Sequence, residues 1–310
     1  MARTRHVVAV DVGGTETKAA LVTGTPDGVV AVQQHRRSTP RLPGGRATAG
    51  AVVDSVVGLI DELRASTEHP VVAAGVVVPG VVDETTGVGT FSANLGWRDF
   101  PFAAQLSERT GLPIAFGQDV RAGGLAECRL GAARGLRNAV IMPIGTGIAG
   151  ALLLDGRLYS GDGHAGEIGH IDVGHGEPCG CGQHGCVEAR ASSAAIARRY
   201  AHRTGESMGG AADVAARVRA GDQDAVTVWR EAVDALARGI LLVVTLLGPE
   251  AVVLGGGLAM AGPLLLDPLR ERLDELVIFQ RRPELRLAAL GDEAGCLGAA
   301  LLAIDMLEAK

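Results

Sequence analysis

The sequence lacks the features that define several large classes of protein. None of its apolar runs approaches the roughly 20 residues that a membrane span needs, and the longest, Ile240–Leu247, falls far short. Basic blocks interleaved with aromatics are also missing, and the net charge is -6, which argues against nucleic-acid binding. The N-terminal apolar stretch is too short for a signal peptide because Asp11 ends it, so we expect a cytoplasmic protein.

Aromatic residues are scarce as well, and glycine is abundant. Aromatics make up only 3% of the 310 residues, so the core must consist of Val, Leu, Ile and Ala. The 45 glycines cluster beside Val-rich segments, which indicates tight turns after strands or loops that surround phosphate.

Cysteine is rare and unevenly distributed. An odd total of five suits reduced thiols better than a disulfide framework. Three of them, Cys179, Cys181 and Cys186, lie close together with glycines between them. Three thiolates and one imidazole complete a tetrahedral structural zinc site, and His170 lies upstream to supply the imidazole. Spacing alone leaves three other histidines as alternatives: His164, His175 and His184.

Two segments about half a chain apart repeat one design. Each is an apolar strand, a turn of glycine and threonine, and a second apolar strand. The first surrounds Asp11-Val-Gly-Gly-Thr15, and the second surrounds Gly145-Thr-Gly147. Strands alternate with helices along the chain, which is typical of α/β proteins. An internal repeat predicts two similar lobes, here 1–118 and 119–292, with a final helix at 293–310 packing back on the first.

These turns are suited to phosphate binding. Glycine lets backbone N–H groups approach phosphate oxygens, and a threonine hydroxyl adds a donor. Asp11 can hold Mg²⁺ through water, and Lys18 can reach a phosphate as a point charge. The P-loop pattern is absent, and an ordinary hairpin is the alternative for each turn alone. The predicted nucleotide contacts, including a third glycine run, are Asp11, Gly13, Gly14, Thr15, Lys18, Gly145, Thr146, Gly147, Gly256 and Gly257.

Together these motifs resemble those of the ROK family of repressors, open reading frames and sugar kinases, along nearly the whole chain. Asp11-Val-Gly-Gly-Thr15 and Gly145-Thr-Gly-Ile-Ala-Gly150 are similar to its two phosphate motifs. Glu167-Ile-Gly-His170, followed by Cys179-Gly-Cys181-Gly-x-x-Gly-Cys186-x-Glu188, resembles its signature and zinc site, and is far more specific. The resemblance implies a two-lobed, ribonuclease-H-like α/β fold of the actin/hexokinase type, with ATP and sugar in the interlobe cleft.

The resemblance also implies roles for individual residues. Asp119 would accept the proton of the sugar C6 hydroxyl as that oxygen attacks the γ-phosphorus of ATP. The expected cofactors are ATP, Mg²⁺ and structural Zn²⁺, and the expected assembly is a homodimer or homotetramer. Sugar contacts are expected at Gly80, Asn94, Gln118, Asp119, Glu167, His170 and Glu188. The implied zinc ligands are His170, Cys179, Cys181 and Cys186.

Simpler explanations exist for three of these residues. Asp119 could be a helix N-cap, Asn94 a turn residue and Glu167 a surface carboxylate. The stretch that usually reads Glu-Asn-Asp-x-Asn is Gly117-Gln-Asp-Val-Arg121 here, so Gln118 and Arg121 replace two asparagines. These departures leave the sugar open: glucose comes first, with N-acetylmannosamine, mannose and fructose as alternatives.

Three other kinds of protein are alternatives to an ATP-dependent kinase. A repressor of the same family would carry a helix-turn-helix segment before the first phosphate motif, where only ten residues precede Asp11. An actin-like ATPase would have no use for the Cys/His cluster. The last alternative is a sugar-binding protein without turnover. For a kinase, polyphosphate stays open as a phosphoryl donor in place of ATP.

Overall fold

Contacts along the chain divide the computed structural model into two units, within described residues 4–25 and 28–309. The first comprises the described residues up to Leu130, the segment Ser160–His164 and those from Asp292 onward. The second comprises Gly131–Tyr159 and Ala165–Gly291. The expected division into lobes 1–118 and 119–292 stays a prediction. Its boundary falls just before the helix Asp119–Arg129, which belongs to the first unit of the structure. Residues 1–3, 26–27 and 310 of those ranges lie outside the described residues.

The first unit carries strands and helices that alternate along the chain. Its strands are β1 (Arg5–Val12), β2 (Glu16–Thr25), β3 (Gly28–Ser38), β4 (Val71–Val78), β5 (Val81–Asp83), β6 (Val88–Phe91), β7 (Arg98–Phe100) and β8 (Ile114–Gln118). Its helices before Leu130 are α1 (Gly45–Ala65), α2 (Phe102–Thr110) and α3 (Asp119–Arg129).

Five of these strands form a sheet in the order β3-β2-β1-β4-β8. The first three are antiparallel, whereas β4 and β8 run parallel to β1. The carboxyl ends of parallel strands meet at one edge of a sheet, where ligands bind in open α/β folds. Asp11 lies near the end of β1 and Asp119 follows β8 directly, so the topology brings both carboxylates to this edge.

The second unit contains five strands and six helices among its described residues. The strands are β9 (Ala139–Pro143), β10 (Ala151–Leu154), β11 (Arg157–Tyr159), β12 (Ala251–Gly255) and β13 (Glu284–Leu287). The helices are α4 (Val187–Ala191), α5 (Ser193–Thr204), α6 (Ala211–Arg219), α7 (Gln223–Leu247), α8 (Gly256–Ala259) and α9 (Pro263–Leu276). The last helix of the chain, α10 (Ala294–Glu308), belongs to the first unit.

The sheet of the second unit repeats the plan of the first. Its order is β11-β10-β9-β12-β13, with β9 and β10 antiparallel and β12 parallel to β9. In the first unit, β1 pairs with β2 and β4 in the same two senses. The internal repeat expected from the two hairpins is therefore present at the level of sheet topology.

Aliphatic side chains fill both cores, as the shortage of aromatics requires. In the first unit, Val8, Val10 and Val76 are buried with Val53 and Ile60 of α1, which presents its apolar face to the sheet. In the second unit, the buried face of α7 belongs to the core that includes the strand residues of β9 and β12. Among the described residues, no helix is long and apolar enough to cross a membrane.

Candidate active site

The first predicted phosphate turn joins β1 to β2. The N–H of Gly13 donates to the carbonyl of Glu16 at 2.9 Å, which closes the turn. Thr39, just after β3, holds the turn from the other side: its N–H donates to the Thr15 carbonyl at 2.9 Å and its hydroxyl donates to the Gly13 carbonyl at 2.8 Å. Hydrogen bonds from two directions thus fix the backbone where nucleotide contacts are expected.

The side chain of Lys18 is engaged elsewhere in the first unit. Its Nζ donates to the backbone carbonyl of Asp292 at 3.1 Å and lies 3.4 Å from the carboxylate of the same residue. Arg36 pairs with that carboxylate at 2.6 Å. A phosphate contact by Lys18 stays a prediction, and it would require the amine to leave this ion pair or to share it.

Two carboxylates meet at the ligand-binding edge of the first sheet. Burial raises the pKa of Asp11 to about 6, partly offset by the positive charge of Lys18. Burial and the nearby Asp11 charge raise the pKa of Asp119 to about 7. A hydrogen bond from the backbone N–H of Val120 to Asp119 Oδ1, at 2.8 Å, moderates the latter shift. A carboxylate whose pKa lies near neutrality is suited to accept a proton and release it again.

The cap of α3 is Gln118 rather than Asp119. Gln118 Oε1 accepts the N–H of Arg121 at 2.7 Å, which is the usual hydrogen bond of an N-cap side chain. Asp119 is the first residue of the helix, so the N-cap alternative for its carboxylate is wrong. An amide that caps a helix through its oxygen can still offer its NH₂ group to a sugar.

Arg121, the second departure from the expected stretch, turns into the protein. Its side chain is only 7% exposed and pairs with Glu84, with Nε 3.0 Å and Nη2 2.9 Å from Oε1. Nη1 lies 3.4 Å from the carbonyl of Gly163. A cavity of about 510 Å³ adjoins this pair and is lined by carboxylates and hydroxyls. The charge added by Arg121 is therefore neutralised locally.

Asn94 and Gly80 lie on neighbouring loops of the first unit. Gly80 has a φ of 104°, and a side chain there would collide with the carbonyl of Phe91, so only glycine fits. Asn94 is exposed, in a tight loop closed by the N–H of Gly96 donating to Ser92 at 2.8 Å. Trp97 anchors this loop in the core, where its ring meets that of Phe102 edge to face.

The second predicted phosphate turn lies between β9 and β10. The N–H of Gly145 donates to the carbonyl of Gly147 at 2.9 Å, and Thr146 is exposed at the tip. Glu188, on α4, accepts the N–H of Ile148 through Oε2 at 2.7 Å. One oxygen of this predicted sugar contact therefore holds the phosphate turn, and the other is left for a ligand.

Glycines bring the signature segment against the same turn. The N–H of Gly150 donates to the carbonyl of Gly166 at 2.7 Å, an approach so close that a side chain on Gly166 would collide with Gly150. Gly169 packs equally closely on the carbonyl of Ile148. The short helical turn Ile168–His170 is thereby fixed beside residues 145–150.

The third glycine run adjoins the second turn. Gly256 has a φ of 74° and packs against the backbone of Ile144, and the N–H of Leu258 donates to the Ile144 carbonyl at 3.1 Å. Gly257 faces open space. The structure therefore brings Gly145, Gly147, Gly256 and Gly257 together within the second unit; their nucleotide contacts stay predictions.

His170, Cys179, Cys181 and Cys186 form a compact cluster. Their ligand atoms all lie within 4.8 Å of one another. Cys181 Sγ and Cys186 Sγ are 3.8 Å apart, and Cys179 Sγ is 3.7 Å from His170 Nδ1. Tetrahedral zinc with zinc–sulfur bonds of about 2.3 Å places two thiolates about 3.8 Å apart. The four residues therefore fit a closed zinc site.

The structure also distinguishes among the histidines that spacing left open. Both ring nitrogens of His175 are occupied, by the Cys186 carbonyl at 3.0 Å and by the Glu177 N–H at 3.1 Å. Neither His175 nor His184 joins the cluster, and His164 belongs to the other unit. With Nδ1 of His170 facing the cysteines, its Nε2 lies 3.9 Å from Glu167, so metal binding would orient the other ring nitrogen toward the sugar side.

The comparisons with known proteins agree with these motifs. The family model described as ROK family matches residues 7–306. The chain belongs to the ROK family. A glucokinase from Halalkalibacterium halodurans is 32% identical, over 95% of this chain and 93% of that protein.

Two solved structures of the ROK family resemble the whole chain. A ROK hexokinase from Thermus thermophilus is 32% identical with a TM-score of 0.82, covering 98% of this chain and 100% of that one. A ROK family glucokinase from Streptomyces griseus, in complex with glucose and AMPPNP, is 30% identical with a TM-score of 0.80, covering 97% and 99%. The expected family and the two-lobed actin/hexokinase-type fold class are confirmed.

Three residues of this ROK protein escaped sequence reasoning. Glu84 pairs with Arg121, Glu177 pairs with Arg190 at 2.7 Å beside the cysteine cluster, and Arg41 contacts the first phosphate turn. Glu84 and Arg121 are separated by 37 positions in the chain, so no local pattern could pair them. A lone arginine in a proline-containing loop, such as Arg41, carries no local signal of its partners.

Proposed function

We propose that this chain is an ATP-dependent hexose kinase that phosphorylates glucose on its C6 hydroxyl. One observation carries the proposal: a carboxylate with a near-neutral pKa, Asp119, lies at the ligand-binding edge of a fold shared with a glucose-binding glucokinase. The glucokinases similar to this chain align over nearly its full length. Their identity to this chain, 32% and 30%, favours an enzyme over a binding module.

Asp119 acts as the general base. Its raised pKa makes it a stronger proton acceptor than an ordinary carboxylate, yet leaves a large ionised fraction at neutral pH. As the C6 oxygen of glucose attacks the γ-phosphorus, Asp119 takes the hydroxyl proton and ADP leaves with the electron pair of the broken bond. The proton then passes to solvent when the sugar phosphate departs.

Each predicted turn would contribute to phosphate binding. Asp11, near the end of β1, is the residue of the first turn that would hold Mg²⁺, through water. When bound, the cation would supply positive charge to offset that of the phosphoryl oxygens. The N–H groups of Gly13 and Gly145 already donate within their own turns. The backbone donors proposed for phosphate are therefore those of residues 14–15 in the first turn and 146–147 in the second, and hydrogen bonds already fix both turns.

Each unit carries its own group of proposed sugar contacts. The first has Asn94, Gln118 and Asp119, and the second has three residues next to the cysteine cluster: Glu167, His170 and Glu188. Zinc bound by His170 and the three cysteines would supply structural rigidity to this segment. Acidic side chains accept hydrogen bonds from sugar hydroxyls, and the residues from the second unit include two.

A coupled assay of ADP release with a panel of hexoses tests the proposal. Glucose should stimulate ADP production more than mannose, fructose or N-acetylmannosamine, and product should appear only with Mg²⁺. Asp119→Asn should lower turnover by about 10² to 10⁴, whereas Asp99→Asn, at an exposed carboxylate of the same unit, should behave like the parent. If no hexose stimulates ADP production by the parent protein, the proposal is wrong; if another hexose exceeds glucose, the sugar assignment is wrong.

The remaining expectations are separate from the reaction. A homodimer or homotetramer and a cytoplasmic location stay predictions. Light scattering on the purified protein measures the first, and fractionation of cells measures the second.

A further inference from the structure

Arg41 joins the first phosphate turn to a predicted sugar ligand. Its Nη2 donates to the carbonyl of Gly14 at 2.8 Å and to Oδ1 of Asn94 at 2.8 Å. Its Nη1 donates to the backbone carbonyl of Asn94 at 3.2 Å. One guanidinium therefore contacts both the loop expected to face the nucleotide and the side chain expected to face the sugar.

The segment that carries Arg41 is anchored on both sides. Before it, Thr39 is hydrogen-bonded to the first phosphate turn through its N–H and its hydroxyl. After it, the N–H and carbonyl of Leu42 both meet the Thr48 hydroxyl at 3.0 Å, at the start of α1. Prolines at 40 and 43 restrict the backbone further. Because the backbone is held, the guanidinium reaches its three acceptors from a defined position.

The chemistry of arginine fixes the orientation of the Asn94 amide. A guanidinium can only donate hydrogen bonds, so the amide must present its carbonyl oxygen to Arg41. Its NH₂ group then points along Gly14, where a side chain would collide with Nδ2. Asn94 therefore directs its NH₂ donors, rather than its carbonyl oxygen, toward a ligand beside the turn.

We propose that Arg41 is a positioning residue of the sugar site, which holds Asn94 against the first phosphate turn with its amide NH₂ directed to the ligand. The group that Asn94 recognises is then an oxygen of the hexose acting as acceptor. The inference rests on the proposed hexose kinase function. It adds a residue that touches neither reactant but determines how one sugar ligand is presented.

Steady-state kinetics with Arg41→Ala tests this role. Loss of the guanidinium leaves the Asn94 amide free to rotate, so KM for glucose should rise about tenfold, as for loss of a charge-assisted hydrogen bond, while kcat changes less than threefold. The KM for glucose of Arg41→Lys should lie between those of the parent and Arg41→Ala, because one ammonium cannot replace the planar guanidinium. The matched control is Arg109→Ala, another exposed arginine of this unit, paired with Asp54 at 2.6 Å.

Variants of Asn94 separate positioning from simple loop stability. Asn94→Asp keeps an acceptor for Arg41 but removes the donor, so KM for glucose should rise as much as in Asn94→Ala while the melting temperature stays near that of the parent. In the Asn94→Ala background, Arg41→Ala should raise KM no further, because the two changes remove one interaction.

Each outcome decides the matter. Parental glucose KM in Arg41→Ala, or in Asn94→Asp, would overturn the positioning role. An additive effect of Arg41→Ala in the Asn94→Ala background would overturn it too, since Arg41 would then act elsewhere. If the parent protein itself phosphorylates no hexose, the proposed function fails and this inference fails with it, a result distinguishable from the other two.

Discussion

The two units carry the same sheet plan but equip their phosphate turns with opposite chemistry. In the first unit, Asp11 lies at the turn and Asp119 begins α3, so the nearby groups are acidic. The guanidinium of Arg41 holds this turn by donating to the carbonyl of Gly14. In the second, the turn 145–147 carries no charge, and an anion, Glu188, holds the neighbouring N–H. The repeat thus conserves the backbone shape, whereas the side chains give each unit a different task.

This difference suggests a division of labour. Under the proposed function, the first unit would supply the two groups that take part in the reaction: Asp119 as proton acceptor and Asp11 as the carboxylate that holds the metal. The second supplies a rigid support, in which the cysteine cluster, the signature segment and the phosphate turn are packed through close glycine contacts. Changes to Asp119 and Asp11 should therefore lower kcat, whereas changes in the second unit should weaken binding or stability.

The largest effect is expected for Asp119→Asn. Removal of the base should lower kcat by about 10² to 10⁴. The same change should raise thermal stability, because a carboxylate with a raised pKa stabilises the folded state less as pH rises. The advantage of the variant should grow between about pH 4 and about pH 7, from the ordinary aspartate pKa of 3.8 to the raised pKa of about 7.

Rapid-mixing kinetics and thermal melts at several pH values measure both effects. Asp99→Asn serves as control, since it changes an exposed carboxylate of the same unit. Unchanged kcat in Asp119→Asn would show that Asp119 is not the base. The proposed contrast between the two units would then fail as well.

The next largest effect is expected at the cysteine cluster. Cys186→Ser should remove bound zinc and lower the melting temperature, because a structural zinc site contributes folding energy. Metal content per chain and thermal melts are the measurements. Cys128→Ser, at a cysteine outside the cluster, should keep the metal. Equal metal content in both variants would show that the cluster holds no zinc.

A smaller effect is expected for Glu188→Ala. The N–H of Ile148 would lose its acceptor, at a cost of about 1–3 kcal/mol if it stays buried. KM for ATP should rise about tenfold along with KM for glucose, because the carboxylate serves the turn and the sugar. Glu188→Gln keeps an acceptor for Ile148, so it should spare KM for ATP. If KM rose for glucose alone in Glu188→Ala, the contact between Glu188 and the second turn would have no role in ATP binding, which would contradict the prediction.

The mildest test is the pH dependence of kcat/KM. Below the raised pKa of Asp119, about 7, the base is protonated and cannot accept the hydroxyl proton, so the rate should fall about tenfold per pH unit. A profile that stays flat down to the ordinary range of aspartate would contradict the burial of this carboxylate.

Sequence alone predicted the parts of the site that depend on local pattern. The two glycine turns between strands, the grouping of His170 with three cysteines and the position of Asp119 after β8 follow from glycines, cysteines and strand ends, whose geometry is local. Their phosphate and zinc ligands stay predictions. β3 was missed because the polar residues Gln33, His35 and Arg37 hold its less exposed positions while Val30 and Val32 are exposed, so the expected apolar alternation is absent. α9 was missed too, and it carries Pro268 inside the helix.

Contacts between distant segments could not be predicted in the same way. Lys18 reads as a phosphate ligand, yet its amine pairs with Asp292, 274 positions away. Arg121 replaces an expected asparagine beside Asp119, yet its guanidinium pairs with Glu84, 37 positions away. In both cases a side chain has several suitable partners, and only the fold decides which of them lies within reach.

The identity of the phosphorylated product tests the central claim most directly. Phosphorus NMR of a reaction with ATP, Mg²⁺ and glucose should show one glucose 6-phosphate for each ADP formed by the parent protein, and neither product above background with Asp119→Asn. ADP formed without a sugar phosphate, or the same yield of glucose 6-phosphate from Asp119→Asn, would contradict a hexose kinase that uses Asp119 as its base.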